Sequence, residues 1–401
     1  MLDRAFIGRM IDEAARRKTG RIDVRRVVEN KEHYIDVIYN MIQTESYVPH
    51  MPRATVITEG TRPKNRTIRK IRFFDQIIHH MVINSCMEVL SNGMYTYCCG
   101  SVPHRGTQYA QRHIERWLRT DRSNTKYCAQ MDIHHFFDSV DHDVLKGMLT
   151  KKIADERMLH LLFMIIDSCP DGLPLGYFTS QWLANFMLQD LDHIIKEQLH
   201  IKYYVRYMDD IILFSGNKKQ LHKAVAIITE YLESIKLTVK GNYQVFRMEY
   251  TDRKGKHRGR ALDFLGYRYY RDHTELRKSL MLRITRTAKR IGKKQKPTFY
   301  DATVMLSYMG WIESSDTYNV YLRYIKPYID IKQLIKIVVK KSKERNGAKN
   351  GTDQLAERHR NAGDRAAGSG QDKQPKLHIS AQGHYKGRNN KRNADSNNVV
   401  L

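Results

Sequence analysis

Apolar residues recur at helical spacing over the first fifty positions, as in Ala5-Phe6-Ile7, Met10-Ile11 and Ala14-Ala15 with Arg and Lys between them. This spacing predicts one or two amphipathic helices with a charged outer face. The pattern then changes. Ala54-Thr55-Val56-Ile57-Thr58 reads as a strand, and after a Gly/Pro-bearing turn the segment from Lys64 to Arg72 alternates cations with Ile, as a strand with a cationic face or a solvated basic loop would. Asp75 to Leu90 is apolar at helical spacing, and its His79-His80 pair reads as packed or surface residues because the pattern places no third metal ligand beside it. A turn-rich loop over Gly100 to Gly106 precedes a long helix from Thr107 to Leu118.

The most ordered block begins at Tyr127. Tyr127 to Met131 reads as a short strand ending on Asp132, and Asp141-His142-Asp143 supplies a helix start for Val144 onward. Two helical stretches, the loop Gly172-Leu173-Pro174-Leu175-Gly176 and a helical run from Thr179 to about Gln198 follow. Tyr203-Tyr204-Val205-Arg206 and Ile211-Ile212-Leu213-Phe214 then flank Tyr207-Met208-Asp209-Asp210, two strands with an Asp pair at their turn. A helix from Lys218 to Ser234 and a strand from Lys236 to Lys240 come next. A second hairpin is expected between Tyr243–Phe246 and Leu262–Tyr270, with Lys254-Gly255-Lys256 at its turn. Helical patterns rich in Lys and Arg return from Leu276 to about Ile337, with Ser307 to Trp311 marking a helix junction. Beyond about Lys341 apolar residues become scarce, which predicts a disordered basic tail. The order of elements fits an α+β fold, a small antiparallel sheet with helices on one face.

Composition narrows the function. At 401 residues and 41% hydrophobic content the chain supports two or three packed units. Its formal charge of +26 exceeds what solubility needs and implies a polyanionic partner, nucleic acid before membrane. The five cysteines, Cys86, Cys98, Cys99, Cys128 and Cys169, are odd in number and lack CxxC spacing, so they read as reduced and buried in a cytoplasmic protein. Adjacent cysteines rarely share one tetrahedral ion, which argues against zinc at Cys98-Cys99 with His104. No signal peptide and no run long enough to span a bilayer is evident.

A lone Asp-Asp pair in a turn is commonly a solvated turn and nothing more. Here Asp132 ends a predicted strand that can lie beside the Asp209-Asp210 hairpin in one sheet. Three carboxylates converging on one sheet edge match the protein side of a two-metal phosphoryl-transfer site. In that chemistry the attacking 3′-hydroxyl is acidified by one Mg²⁺ and the leaving pyrophosphate is stabilised by the other. Lys64 and Arg66 would hold the triphosphate, Arg through a bidentate fork and Lys as a point charge.

These residues resemble the bacterial reverse transcriptases. Tyr207-Met208-Asp209-Asp210 is similar to that family's catalytic hairpin, and Met131-Asp132-Ile133 with Phe136-Phe137-Asp138 to its first catalytic block. The loop Gly172–Gly176 through Ser180-Gln181 resembles the segment that packs on incoming nucleotide and template. Lys64-x-Arg66 resembles its finger cations, and Asp263-Phe264-Leu265-Gly266-Tyr267 its primer-gripping hairpin. The five blocks stand in family order over roughly residues 50 to 335.

The resemblance implies a right-hand polymerase: an N-terminal helical segment over 1–50, fingers over 51–126, palm over 127–271, helical thumb over 272–340 and the tail over 341–401. It implies RNA-directed DNA synthesis with two Mg²⁺ ions, Asp132, Asp209 and Asp210 catalytic, and Ile133 with these three at the metal-binding positions. Phe137 would be the steric gate against a ribose 2′-hydroxyl. Nucleotide contacts would come from Lys64, Arg66, Phe137, Leu175, Gly176, Gln181 and Lys240, although Lys240 taken alone reads better as a surface lysine. Tyr207, Met208, Phe264, Leu265 and Gly266 would face primer and template. Template RNA, primer or cDNA and deoxynucleotides are the implied partners, with an accessory protein a further candidate and no membrane.

One departure is informative. Many reverse transcriptases carry Gln where this chain has Leu175 and Pro where it has Gln181, and Leu175-Gly176-Tyr177-Phe178-Thr179-Ser180-Gln181 instead resembles the enzymes of diversity-generating retroelements. In those, loss of a polar side chain at the nucleotide pocket accompanies error-prone copying, because Leu cannot hydrogen-bond the sugar or a neighbouring base. No maturase or endonuclease segment follows the thumb, which argues against a complete group II intron protein. Competing expectations are an antiviral defence reverse transcriptase, which shares much of this core, and an RNA-binding scaffold whose polymerase site is vestigial.

Overall fold

The computed structural model describes residues 3–59 and 64–344, and among these the side chains of all but Glu59 and Lys64. The described residues up to 339 form one compact unit. A second begins at residue 340; its described part, 340–344, is helical and pairs Lys341 with Glu344 at 3.0 Å. The expectation of a disordered tail falls, from residue 345 on, outside the described residues. Among the described residues no helix is long and apolar enough to cross a membrane.

The N-terminal fifty residues form three helices rather than one or two: α1 (Arg4–Ala15), α2 (Ile22–Glu29) and α3 (Lys31–Gln43). Asp3 caps α1 by accepting from the Phe6 N–H, and Ile7, Met10, Ile11 and Ala14 bury one face. β1 (Arg53–Glu59) and β2 (Lys64–Lys70) pair antiparallel with Ile57 opposite Arg66, the expected strand with cations on it. α4 (Phe73–Ser91) buries both His79 and His80, as packed residues. α5 (Thr107–Thr120) follows.

β3 (Tyr127–Asp132) opens the central sheet. A single turn, α6 (Phe136–Ser139), leads to α7 (His142–Thr150), capped by Asp141, and α8 (Glu156–Asp167), capped by Asp155. The expected run from Thr179 to Gln198 is α9 (Phe178–Met187), α10 (Gln189–His193) and a π turn, Ile194–Gln198. β4 (Tyr203–Tyr207), β5 (Asp210–Ser215) and α11 (Lys218–Ser234) come next. β6 (Gln244–Arg247) completes a four-stranded sheet of order β4-β5-β3-β6, all neighbours antiparallel.

Both faces of this sheet are covered, not one as expected, so β4 and β5 read as continuous apolar runs rather than as alternating ones. Ala129, Met131, Tyr204, Ile211 and Leu213 join the core beneath α4, α9 and α11, whereas Cys128, Val205, Ile212 and Phe214 join a second core shared with α5 and the C-terminal helices. All five cysteines are free and buried.

Three expectations need correction. Lys236–Lys240 is not a regular strand: Lys236 takes a left-handed φ of 61°, and the segment meets the sheet only past the end of β3, through an isolated Ile133–Val239 bridge. The Tyr243–Phe246 segment does not pair with Leu262–Tyr270; it joins β3, while the residues between form a small ribbon of β7 (Tyr250–Thr251) and β8 (His257–Arg258) with Lys254–Lys256 at its turn. β9 (Leu262–Phe264), β10 (Tyr267–Tyr269) and β11 (Thr274–Leu276) make a separate sheet. Ser307–Trp311 is no junction but lies inside α13 (Phe299–Glu313), which follows α12 (Lys278–Gly292) and precedes α14 (Tyr318–Tyr324).

Candidate active site

The sheet's register brings the acidic residues together. Asp132, the last residue of β3, is paired with Asp210, the first of β5, and Tyr207 pairs with Asp210 from the other side. Directly opposed residues on antiparallel strands have side chains on the same face about 5 Å apart. Met208 and Asp209 form the turn, with Met208 in the left-handed region at φ 55°. The Met208 backbone presses on Gly100, where a Cβ would stand 2.7 Å from the Met208 nitrogen, so this approach requires glycine.

The electrostatics show an acidic site short of positive charge. Burial, then the Asp209 and Asp132 carboxylates beside it, push the Asp210 carboxyl up to about 7 against the opposing pull of Arg277 and Lys240. Asp209 is raised by burial and by Asp132, with which it shares a hydrogen bond, while its own backbone and Arg66 work the other way. Lys240 Nζ lies 3.1 Å from Asp132 Oδ2, and the Lys240 N–H donates to the Asp132 carbonyl at 2.8 Å. An all-oxygen donor set whose mutual repulsion is only partly offset suits a hard divalent cation, which Asp132, Asp209 and Asp210 would hold. Among the described residues no group of three or more His, Cys, Asp or Glu side chains is arranged to hold a metal ion as it stands.

The Gly172–Gly176 loop links several of the other expected residues to one another. The Arg69 N–H donates to the Leu175 carbonyl at 2.9 Å and the Leu173 N–H to the Phe137 carbonyl at 2.6 Å, so the loop ties β2 to α6. Gly176, at φ 110°, lies so close to β2 that a Cβ would stand 2.7 Å from the Arg69 carbonyl oxygen. Phe137 is half-buried, edge-on to Phe136 at 5.5 Å, and Leu175 is half-buried. Arg66 is exposed on β2 and Gln181 on α9. The side chain of Lys64 lies outside the described residues.

Three expected residues turn inward. Met208, expected to face primer and template, is buried with its side chain against Gly100, because the left-handed turn tucks it beneath the hairpin. Phe264 is 1% exposed and packs in the second core, so its side chain does not reach a primer; the turn that follows, Leu265 and Gly266, is what the hairpin presents. Ile133 is also buried, and any ligand role there falls to its main chain.

Sequence reasoning missed the support behind the hairpin. Arg206 and Asp192 are fully buried, joined through Nε to Oδ1 at 2.8 Å and Nη2 to Oδ2 at 2.6 Å. Arg206 Nη1 also donates to Asn185 Oδ1 and to the Met208 carbonyl, both at 3.1 Å, while Asn185 donates to the Gly100 carbonyl at 2.7 Å. The signal was available, since an arginine inside a strand otherwise apolar on both faces demands a buried partner. A second missed pair, Arg277 with Asp263, sets a cation near Asp210.

Known proteins supply the context. A retron Ec73 reverse transcriptase from Escherichia coli is 26% identical over 205 residues, covering 47% of this chain and 64% of that protein. The group II intron-encoded protein LtrA of Lactococcus lactis subsp. cremoris is 23% identical over 214 residues, 51% of this chain and 34% of that protein. The chain thus spans about half the length of the curated relatives it matches. An apo telomerase structure from Candida tropicalis, truncated from the C-terminal domain, superimposes with a TM-score of 0.43 at 12% identity over 59% of each chain. Residues 62–269, just over half of the sequence and containing the whole carboxylate site, match the family model described as reverse transcriptase (RNA-dependent DNA polymerase), and the chain belongs to that family.

Proposed function

We propose that the protein is an RNA-directed DNA polymerase of a bacterial or phage retroelement, working by two-metal nucleotidyl transfer. The observation that supports this most is the register that sets Asp132 opposite Asp210 with Asp209 at the adjoining turn. In this reading the primer 3′-oxygen attacks the α-phosphorus of a deoxynucleotide, its hydroxyl proton passes to water, and the bond from the α-phosphorus to the leaving pyrophosphate breaks. Two Mg²⁺ ions, when bound, supply the charge that stabilises both the attacking and the leaving oxygen. Arg66 and Lys64 hold the triphosphate, Phe137 excludes a 2′-hydroxyl, and Lys240 stands by Asp132 where it can meet the departing pyrophosphate. Leu265 and Gly266 guide the primer. Fingers over 51–126, palm over 127–271 and thumb over 272–340 are the divisions this assigns. The test is primer extension: the full chain should add dTTP to oligo(dT) on poly(rA) when Mg²⁺ is present, and no extension under any divalent cation would overturn the reading.

The elevated Asp210 pKa gives a pH signature. A carboxyl held near 7 must lose its proton to ligate a cation, so Mg²⁺ affinity should climb up to about tenfold per unit from pH 6 to 7 and level off above. The linkage to stability has the opposite slope. A folded-state pKa above the unfolded one contributes stability below the ordinary carboxylate range that is lost as pH rises through about 7. Without metal, the chain should therefore melt at higher temperature at pH 5.5 than at pH 8 as far as this group is concerned, and Mg²⁺ should narrow that gap. Calorimetric Mg²⁺ titrations across this range check the first slope; a flat profile would contradict the assigned pKa.

Error-prone copying in a diversity-generating element is the finer reading, favoured by Leu175 at the nucleotide pocket. A side chain that cannot hydrogen-bond gives the correct pair less advantage over a wrong one. Leu175→Gln is expected to lower misincorporation opposite template adenine by about three- to tenfold, the size of one recovered hydrogen bond. Sequencing of cDNA made by both forms measures it, and equal error rates would remove the reading.

A further inference from the structure

The strongest unassigned feature lies at the other end of the sheet from the carboxylates. Between Gln244 and Arg260 six cations, Arg247, Arg253, Lys254, Lys256, Arg258 and Arg260, stand against Glu249 and Asp252, and all six are exposed. We propose that β6 and the β7–β8 ribbon form a second nucleic-acid surface, one that grips the phosphate backbone of double-stranded RNA outside the polymerising site. The choice of RNA rests on the reading above, in which RNA is the template.

A charged run is often just a solvated loop, but this one is built. Asp252 is spent on the turn: its Oδ1 accepts the N–H groups of Lys254 and Lys256, each at 2.9 Å, and its Oδ2 pairs with Arg258 at 3.1 Å. The ribbon is welded to the sheet edge, with the Glu249 N–H donating to the Arg260 carbonyl at 3.1 Å and the Arg260 N–H to the Arg247 carbonyl at 3.2 Å. Gly259 makes the weld close, since a Cβ there would stand 2.5 Å from the Met248 carbonyl oxygen. Two guanidinium groups lie flat on aromatic rings, Arg247 at 3.4 Å over Tyr250 and Arg260 at 3.6 Å over Phe246. Stacking fixes each fork; Arg260 donates from Nη2 to Gln244 Oε1, and the remaining N–H groups at the fork edges are left for phosphate oxygens.

The cationic surface continues beyond the ribbon. Half-buried Arg271 is anchored to Thr125 through Oγ1 and the carbonyl oxygen, at 2.5 and 2.9 Å, and feels Arg122 and Arg247 as like charges, with Glu249 partly offsetting them. The two acidic groups among these cations, Glu249 and Asp252, offset only part of their charge, and a bound polyanion would offset the rest. The position separates the ribbon from the catalytic site. β6 pairs with β3 from Gln130 back to Tyr127, so its start at Gln244, to which Arg260 Nη2 donates, lies two residues from the register of Asp132, whereas the Arg247 end from which the ribbon runs on is five residues, roughly 17 Å at about 3.4 Å each, from Asp132. A-form RNA hides its base edges in a deep, narrow major groove, so contacts there would be to phosphate and carry little sequence preference.

The experiment compares the full chain with an Arg253→Ala/Lys254→Ala/Lys256→Ala variant, its melting temperature matched to the parent. The probes are a blunt RNA duplex of about two helical turns and the DNA duplex of the same sequence, titrated by fluorescence anisotropy between about 50 and 200 mM salt. Loss of three phosphate contacts should weaken RNA-duplex binding about tenfold or more and lower the slope of log K against log salt by about 2 to 3. Extension of a short homopolymer template–primer should stay within about twofold, which separates this inference from the polymerase assignment, since Asp209→Asn should do the reverse. Equal affinity and slope in the two proteins would overturn the proposal and leave an acidic protein as the ribbon's partner. Tighter binding of the DNA duplex, or a matching loss of extension, would overturn it as well.

Discussion

Asparagine at both Asp209 and Asp210 is expected to cut nucleotide incorporation by about 10³-fold or more, equivalent to about 4 kcal/mol of transition-state stabilisation, while the metal-free protein becomes more stable rather than less. The two effects have one cause. Burial and the neighbouring carboxylates raise both Asp210 and Asp209, so in the absence of a cation these charges oppose folding near neutral pH. Asparagine keeps the shape, removes the repulsion with Asp132 and removes the anionic ligands. Nucleic-acid binding should persist, because the cations on β2, the ribbon and the C-terminal helices are untouched. Primer extension, a melting curve at pH 8 and RNA binding by anisotropy measure the three quantities. Synthesis at parental rate would refute the catalytic assignment, and a fall in melting temperature would show that the carboxylates are held by contacts other than those described.

How much of this site the sequence discloses follows from how local each interaction is. The Asp209-Asp210 turn is legible because β4 and β5 are apolar on both faces and adjoin in the chain, and Asp132 because its strand ends on it. Lys218–Ser234 is legible because its apolar stripe is continuous from Leu221 to Leu232. The partner of Tyr243–Phe246 is not, since local pattern favours the next strand along whereas the sheet takes β3, more than a hundred residues earlier. Ser307 and Gly310 look like helix breakers, yet α13 runs through them, held at its start by the Thr298–Asp301 capping box. Lys236–Lys240 has a strand's composition, but Lys236 turns into the left-handed region and the rest finds a partner only at the Ile133–Val239 bridge.

Arg206→Met is expected to destabilise the fold by about 3–5 kcal/mol, and Asp192→Leu by a similar amount, whereas the double replacement should recover much of that loss without recovering synthesis. Burial opposes the Arg206 charge, but the Asp192 carboxylate more than offsets it and holds the guanidinium well above its ordinary pKa; each partner alone would be an uncompensated charge in a dry interior. Two apolar residues remove both charges, although Tyr204, whose hydroxyl donates to Asp192 Oδ1 at 2.6 Å, loses its acceptor and keeps the recovery partial. Activity follows a different bond. Arg206 Nη1 donates to the carbonyl of Met208, the left-handed residue next to Asp209, and through Asn185 it is joined to the Gly100 backbone on which that turn rests. Methionine supplies no donor, so in the double variant the turn is free to move and the carboxylates lose the sub-ångström placement that phosphoryl transfer needs. Urea denaturation of the parent, both single variants and the double variant gives the coupling energy, and kcat with KM for dTTP on poly(rA)/oligo(dT) gives the functional half. Additive stability losses would show that the pair is not coupled, and a double variant that regains kcat along with stability would show that the network serves the fold alone.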